Sequence, residues 1–443
     1  MDTDISAVMR KSTFPYKRSA AFCDKTALSE NLRLLRSQLS EGMRFCAVVK
    51  ADAYGHGFAG LKDVFEVYAD AYAVASVEEG EALRALGIEK PVLILGDVHR
   101  DEYQRVIAGR LSAAISSADE AEQLSALALK SEEGLNSKEV SNSEEILNPK
   151  EMVSQKAHIQ IAVDTGMSRI GLMPDEEGLS QLRRIAALPG IAIDGIFTHF
   201  AAADEEDLTG AHRQLERFRA FLAAAAAEGI DPGVRHCANS AAVLNGFGMQ
   251  GFDMVRGGIA MYGLYPSEEV RKDLKFRPVM QLGAYLTHVK EIEAGTGVSY
   301  GSLFRADRKM RIGTVSCGYA DGYPRSAGSK SSGEEAKRHR AEAPKGNRAE
   351  EIKEHGTGAA ADRITMDVLV RGKRCPIVGR VCMDQLMIDL SAVPEAEKGD
   401  PVVLIGRDGD EEITFYELAE KSGGFHYELL CGISKRVPRV YIG

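Results

Sequence analysis

Short β-rich apolar runs return at intervals through the first half of the chain, at 45–49, 71–75, 91–95, 111–115, 158–163, 195–198, 234–237 and 252–255. Segments with helical patterning lie between them, among them 76–86, 117–129, 177–188 and 211–228. Strands alternating with helices make a parallel α/β fold, and eight such units favour a TIM-type (β/α)8 barrel over an open sheet. A further apolar run at 20–23 is assigned outside the barrel. Beyond Tyr265-Pro266 the texture changes to alternating segments broken by turn signals, at 283–292, 310–317, 366–370 and 401–405, which predicts a β-rich C-terminal domain. The expected organisation is an N-terminal arm or strand over 1–24 associated with the β domain, a barrel over 25–277 and the β-rich domain over 278–443. Two stretches dominated by Lys, Glu, Ser, Gly and Ala, 131–155 and 326–363, read as mobile insertions with little to offer a core. The first falls between the helix after the fourth strand and the fifth strand, which puts it at the bottom of the barrel, away from the face where barrel enzymes work.

At 443 residues the chain is too long for one ordinary domain. Its 44% hydrophobic and 27% charged residues are ordinary for a soluble globular protein. A net charge of -10 supplies no basic footprint for nucleic acid or anionic lipid, so the expected partner is a small molecule. The longest obvious apolar run, 220–227, is mostly alanine and too short for a bilayer, and the charged start lacks a secretory signal's apolar region. Seven cysteines (Cys23, Cys46, Cys237, Cys317, Cys375, Cys382, Cys431) show no paired CxxC spacing, so neither a metal site nor a redox pair is expected. The chain reads as cytoplasmic with reduced thiols.

The first barrel strand runs into Lys50-Ala51-Asp52-Ala53-Tyr54-Gly55-His56-Gly57. That places a lysine at the carboxyl end of a buried strand, where barrel active sites are built. A lysine held there can have its pKa lowered, and its neutral amine can form a Schiff base with an aldehyde cofactor. Alone, the segment fits equally a lysine whose head reaches solvent. Strand seven leads into His236-Cys237-Ala238-Asn239-Ser240 and strand eight into Arg256-Gly257-Gly258-Ile259. Loops after these two strands bind phosphate in many barrels, through free backbone N–H groups and a serine hydroxyl. A glycine pair by itself is more often a tight turn. The pair and the lysine together suggest a phosphorylated aldehyde, pyridoxal 5'-phosphate.

These segments, with Asp164-Thr165-Gly166-Met167-Ser168-Arg169, Thr198-His199-Phe200, 254–263 and Arg380-Val381-Cys382-Met383-Asp384-Gln385, resemble the alanine racemase family. The likeness spans nearly the whole chain outside the insertions and the N-terminal arm. It implies a pyridoxal-phosphate isomerase that interconverts L-alanine and D-alanine, supplying D-alanine for peptidoglycan, as a homodimer with shared active sites. By motif position, Lys50 would hold the cofactor as a Schiff base and Tyr54, Asn239, Ser240, Gly258, Ile259 and Tyr427 would hold its phosphate side. Arg256 would face the pyridine nitrogen, and His199 would lie near the ring and support the catalytic tyrosine. Arg169 and Met383 would take the substrate, the latter through its backbone N–H to the carboxylate. Racemisation needs acid/base groups on both faces of the α-carbon; Lys50 is one, and Tyr300 matches the tyrosine that the family brings from the partner subunit. A tyrosine pKa of about 10 must be lowered by nearby positive charge, such as Arg and His, to work near neutrality. Tyr319, Arg325, Asp204, His236, Arg380 and Asp384 match family positions at the entrance or behind the site, and Cys382 reads as a small buried residue rather than a nucleophile.

The pattern departs at one place. Many family members carry a carbamylated lysine two residues before the Asp164 position, where it steadies the arginine corresponding to Arg169; here the residue is Ala162. Arg169 must then be held by another carboxylate, a bound anion or packing. Competing expectations are a racemase of serine, lysine or another amino acid, since pocket volume is not legible in a sequence, and a non-catalytic pyridoxal-phosphate-binding protein. A fold-related decarboxylase of basic amino acids is disfavoured for want of that family's downstream acid and cysteine cluster.

Overall fold

The computed structural model describes residues 4–11, 13–136, 156–328 and 366–443. The insertions expected at 131–155 and 326–363 lie largely outside these residues. What is described of them is the end of helix Ala118–Asn136, which runs past the onset of the polar stretch, and the short turn Arg325–Ala327. The chain divides into two compact units, Lys25–Val279 and a second made of Met1–Asp24 with Met280–Ile442.

The first unit is a closed barrel of β2 (Arg44–Val48), β3 (Ala71–Val74), β4 (Val92–Ile94), β5 (Ser112–Ile115), β6 (Ala157–Ala162), β7 (Ile191–Phe197), β8 (Val234–His236) and β9 (Met254–Gly257). Each strand runs parallel to its neighbours, and β9 returns to pair with β2 through Arg44↔Met254 to Ala47↔Gly257. Helices shield the outside of these strands while side chains fill the inside, so they read as continuous apolar runs; β3 and β5 are buried at every position. The helices carry local signals of their own. Helix Glu176–Ala186 is capped by Asp175, whose carboxylate accepts from Gly178 N (3.1 Å). Glu176 and Glu177 occupy its first turn and Arg183 and Arg184 its last, as the helix dipole favours. Leu179, Leu182 and Ile185 form its buried stripe.

In the second unit the order is β15-β14-β17-β10-β1-β19, with β1 (Ser19–Asp24), β10 (Met280–Ile292), β14 (Asp367–Val370), β15 (Lys373–Pro376), β17 (Pro401–Asp408) and β19 (Arg439–Ile442). Strand β1 is antiparallel to β10 and parallel to β19, so the N-terminal strand is tied into the C-terminal sheet. The far half of β10 turns to pair with β13 (Met310–Val315), which in turn pairs with β16 (Leu386–Asp389). Helix Ile5–Met9 packs on this sheet: Ser6 Oγ donates to Asp408 Oδ1 (2.8 Å), and Met9 sits so close to Gly283 that a Cβ there would meet its sulfur at 2.5 Å. Among the described residues no helix is long and apolar enough to cross a membrane.

At the amino-terminal end of the barrel, Asp194 accepts from Ser112 Oγ (2.8 Å) and from His158 Nδ1 (2.8 Å). The hydrogen bond to Asp194 raises the His158 pKa above its usual value, with burial opposing. A histidine whose folded-state pKa is raised contributes stability that is complete below the unfolded value of about 6.5 and lost as pH climbs through the folded value. His158→Gln should therefore flatten the decline in Tm between about pH 6 and pH 8.5. Thermal denaturation across that range checks it, and parallel profiles for the two proteins would rule out a contribution from the pair.

Candidate active site

Lys50 follows the end of β2 by two residues and opens a turn of unusual hand. Ala51, Asp52, Ala53 and Tyr54 all take positive φ, between 52° and 57°. Left-handed backbone costs a residue with a Cβ about 1–2 kcal/mol, and four in succession need a frame. The frame is visible. Glu79 accepts from Ala51 N (2.6 Å) and Ala75 N (2.7 Å), Asp52 Oδ1 accepts from Phe58 N (2.8 Å), and buried His56 bonds the Ala53 carbonyl through Nδ1 (2.8 Å). Tyr262 stacks on His56 (4.5 Å between centroids), lies 4.9 Å from the Tyr54 ring and donates to Val48 O (3.1 Å). Lys50 is thus the partly exposed head of a rigid loop.

The ends of β8 and β9 meet beside it. Asn239 caps helix Ser240–Leu244, its side-chain Oδ1 accepting from Ala242 N (3.0 Å). Ser240 Oγ accepts from Gly258 N (2.8 Å). A Cβ at Gly258 would stand 3.3 Å from Tyr54 Oη and 3.5 Å from Ser240 Oγ, so two hydroxyls face the space that this glycine leaves open. The amides of buried Ser240 and Ile259 begin short helical turns and find no acceptor among the described residues. Lysine amine, hydroxyls and spare amides are the donor set that an aldehyde bearing a phosphate requires.

Arg256, in β9, is almost wholly buried. Its Nη1 bonds His236 Nδ1 (2.6 Å) and the His236 carbonyl (3.4 Å); its Nη2 bonds the carbonyls of Thr198 (2.8 Å) and Cys237 (3.1 Å) and His199 Nδ1 (3.2 Å). The terminal nitrogens are fully used, and only Nε–H lacks an acceptor among the described residues. Burial lowers the guanidinium to about 10, which leaves it protonated at neutral pH. Burial together with Arg256, Arg169 and Lys50 drives His199 down to about 3, and burial with Arg256 takes His236 well below its usual value. Both imidazoles are neutral, each accepting at Nδ1, and His236 passes its Nε2–H to Gln160 Oε1 (2.6 Å).

Arg169 is exposed and has no hydrogen bond or ion pair among the described residues. Asp164, its nearest sequence carboxylate, is spent on the loop itself, accepting from Gly166 N (3.0 Å) and Ser168 N (2.9 Å). Ala162 is buried among Ala114, Phe197, Leu95 and Ile170, so apolar packing fills the space around it.

The remaining sequence-predicted residues belong to the second unit. Tyr300 stands between left-handed Ser299 and Gly301 and is 66% exposed; Met383 is 52% exposed. Tyr427 lies on helix His426–Gly432 and stacks on Phe425 (4.8 Å). Cys382 is only partly buried, contrary to the expectation of a buried residue, and its thiol lies 3.3 Å from Ser299 Oγ. Among the described residues no group of three or more His, Cys, Asp and Glu is placed to hold a metal.

Sequence reasoning missed Gln160 and Glu79. A polar residue inside the apolar run of β6 was the available signal for Gln160; nothing marked Glu79.

Comparison with known proteins decides the family. Residues 23–266 match the alanine racemase N-terminal domain family, and 279–343 with 355–441 match its C-terminal domain family. The chain belongs to the alanine racemase family. The alanine racemase of Desulfovibrio desulfuricans is 38% identical over 420 residues, covering 95% of this chain and 96% of that protein. The solved alanine racemase of Clostridium difficile 630 superposes with a TM-score of 0.79 at 31% identity, covering 97% of this chain and 96% of that one. The Bacillus anthracis alanine racemase, solved with bound L-Ala-P, gives 0.77 at 31% identity over 97% and 96%. Expectation and finding agree on family and on fold, a parallel barrel with a β-rich second unit.

Within this racemase fold, Gln160→Leu leaves His236 Nε2–H buried without a partner, which costs about 1–3 kcal/mol. A fall in Tm of several degrees by calorimetry is expected; an unchanged Tm would show that the Arg256–His236–Gln160 chain carries no stability.

Proposed function

We propose that this chain interconverts L-alanine and D-alanine with pyridoxal phosphate, as a homodimer that shares its two active sites. The supporting observations are the Tyr54 and Ser240 hydroxyls and the spare Ser240 and Ile259 amides around Gly258, at the end of the strand that pairs with β2 ahead of Lys50, with Arg256 Nε–H as the one donor of a buried guanidinium without an acceptor among the described residues. When bound, the cofactor supplies an aldehyde for the lysine amine and an electron-withdrawing ring that acidifies the α-carbon.

The chain's own residues then have distinct tasks. Ser240, Ile259, Tyr54 and Tyr427 would hold the phosphate, and Asn239 would lie on the same side of the cofactor while capping the helix that Ser240 begins. Arg256 faces the ring nitrogen with Nε–H. Being protonated and braced at both terminal nitrogens, it would donate to the ring without releasing its proton, a pairing that would suit rapid reprotonation over transamination. Lys50 Nζ holds or delivers the proton on one face of the α-carbon, and the partner subunit's Tyr300 Oη does so on the other. Neutral His199 fixes orientation by accepting from Arg256. Arg169 and the Met383 N–H take the substrate carboxylate. The Met383 amide has no acceptor among the described residues, which leaves it available.

The exposed side chains of Tyr300, Tyr319, Met383 and Phe425 in the second unit are apolar surface of the kind that association covers. The remainder of the reading is a cytoplasmic enzyme whose D-alanine feeds peptidoglycan.

Purified protein should form D-alanine from L-alanine and show cofactor absorbance. Lys50→Ala should lose both, while Tyr300→Phe keeps the absorbance and loses about 10²–10⁴-fold in rate. Mixing the two inactive variants tests the shared site. If subunits exchange at random, half the dimers are hybrids and half the sites in each hybrid are intact, so about a quarter of the activity should return. No return from verified hybrids would place Lys50 and Tyr300 of one chain in the same site.

A further inference from the structure

A carboxylate that no motif singled out sits behind the residue proposed to take the substrate carboxylate. Asp321 belongs to the short turn Tyr319–Asp321, and its side chain is fully buried in the second unit. It receives Arg18 at both oxygens (2.5 and 2.6 Å), Arg436 Nε (2.7 Å) and Gly318 N (2.8 Å). Burial opposes its ionisation, but the hydrogen bonds from Arg18, Arg436 and Gly318 prevail and hold the carboxyl below the usual range.

Both guanidiniums reach past Asp321 to the same neighbour. Arg18 Nη2 donates to the Asp384 carbonyl (3.1 Å), and Arg436 Nη2 to the Asp384 carboxylate (2.7 Å). The turn that Asp321 closes grips the two preceding residues: Tyr319 N donates to Cys382 O and Ala320 N to Met383 O, each at 3.0 Å. Contact is so close that a Cβ at Gly318 would fall 2.4 Å from both carbonyls. Cys382 N closes the segment on Gln385 O (2.9 Å). The three carbonyls from Cys382 to Asp384 are therefore all held from the Asp321 side, while the Met383 and Asp384 amides find no acceptor among the described residues. The same segment reaches the proposed base, since Ser299 Oγ, one residue before Tyr300, donates to Arg380 O (2.7 Å).

We infer that Asp321 is a positioning residue for racemisation: its buried carboxylate, through Arg18, Arg436 and the Gly318 turn, orients the Met383 N–H that receives the substrate carboxylate. The inference rests on the proposed role of Met383. It deepens that role, because one charge sets both the turn and the two arginines. An asparagine at 321 keeps the volume and an acceptor for Gly318 N, but it leaves two guanidiniums facing each other without the charge that holds them.

The test uses purified, cofactor-loaded enzyme carrying Asp321→Asn, Asp321→Glu or Arg436→Gln. Asp321→Asn should speed amide hydrogen exchange in the peptide spanning 382–385 with cofactor absorbance retained. It should raise KM for alanine about tenfold with kcat within about threefold, one lost charge-assisted contact being worth roughly that. The inhibition constant of propionate, alanine without its amino group, should rise by the same factor. Asp321→Glu should recover part of the loss, and Arg436→Gln, which leaves Arg18 on the carboxylate, should show a smaller rise, so that a failure of Asp321→Asn to fold does not end the test. Because L- and D-alanine have equal free energies, kcat/KM must fall equally in both directions. Unchanged exchange and KM beside a lowered Tm would overturn the inference and leave the Met383 reading intact. Faster exchange with unchanged KM and propionate inhibition would overturn both, since the loosened amide would then not be touching substrate.

Discussion

Much of the barrel mouth follows from placing one guanidinium where water does not reach. A buried charge is costly unless its donors are met, and Arg256 meets four of its five N–H bonds with three main-chain carbonyls and two imidazole nitrogens. Those partners lose freedom in return. His236 and His199 must present Nδ1 as an acceptor, which fixes their tautomers, and burial, reinforced by the adjacent charge, keeps both from protonating. His236 Nε2–H then requires an acceptor, and this explains a glutamine in the middle of an otherwise apolar strand. Carbonyls of the β7 and β8 ends are held by the same group, so the loops bearing His199 and Asn239 are registered against β9. What emerges is a single unused donor, Nε–H, on a group that cannot relax.

The Lys50 turn answers a different constraint. A strand that ended in an ordinary right-handed turn would carry the amine away along the helix that follows. Four left-handed residues reverse the chain within one turn, and Glu79, Asp52, His56 and Tyr262 hold that reversal from outside. Strain of this kind persists only where surrounding contacts over-determine the geometry, and here it is confined to the four residues that follow Lys50.

The contrast bears on what could be read in advance. Barrel strands were legible because burial on both faces writes each as an apolar run, and their order followed from alternation with helices. Lys50, Ser240, Gly258 and Arg256 stood at strand ends, where barrels place function, and family motifs named the rest. The N-terminal strand was expected beside the β domain, but side-chain contacts linking distant positions were not legible: Glu79 reaching Ala51, and Arg18 meeting Arg436 over Asp321. Each depends on two residues far apart in sequence, neither unusual for its local element. The hand of the turn after Lys50 was equally hidden, since Ala-Asp-Ala-Tyr carries no glycine to announce positive φ.

Ala162 shows where packing and electrostatics trade places. A negative group at this position would set a compensating charge near Arg169. Here the surroundings are Ala114, Phe197, Leu95 and Ile170, an environment in which an uncompensated charge would be expensive. Arg169 therefore keeps its full charge facing outward, and Arg256, Arg169 and Lys50 act together on His199. The three cations repel one another, and His199 stays neutral among them. An excess of positive charge at a barrel mouth favours anionic ligands over neutral ones.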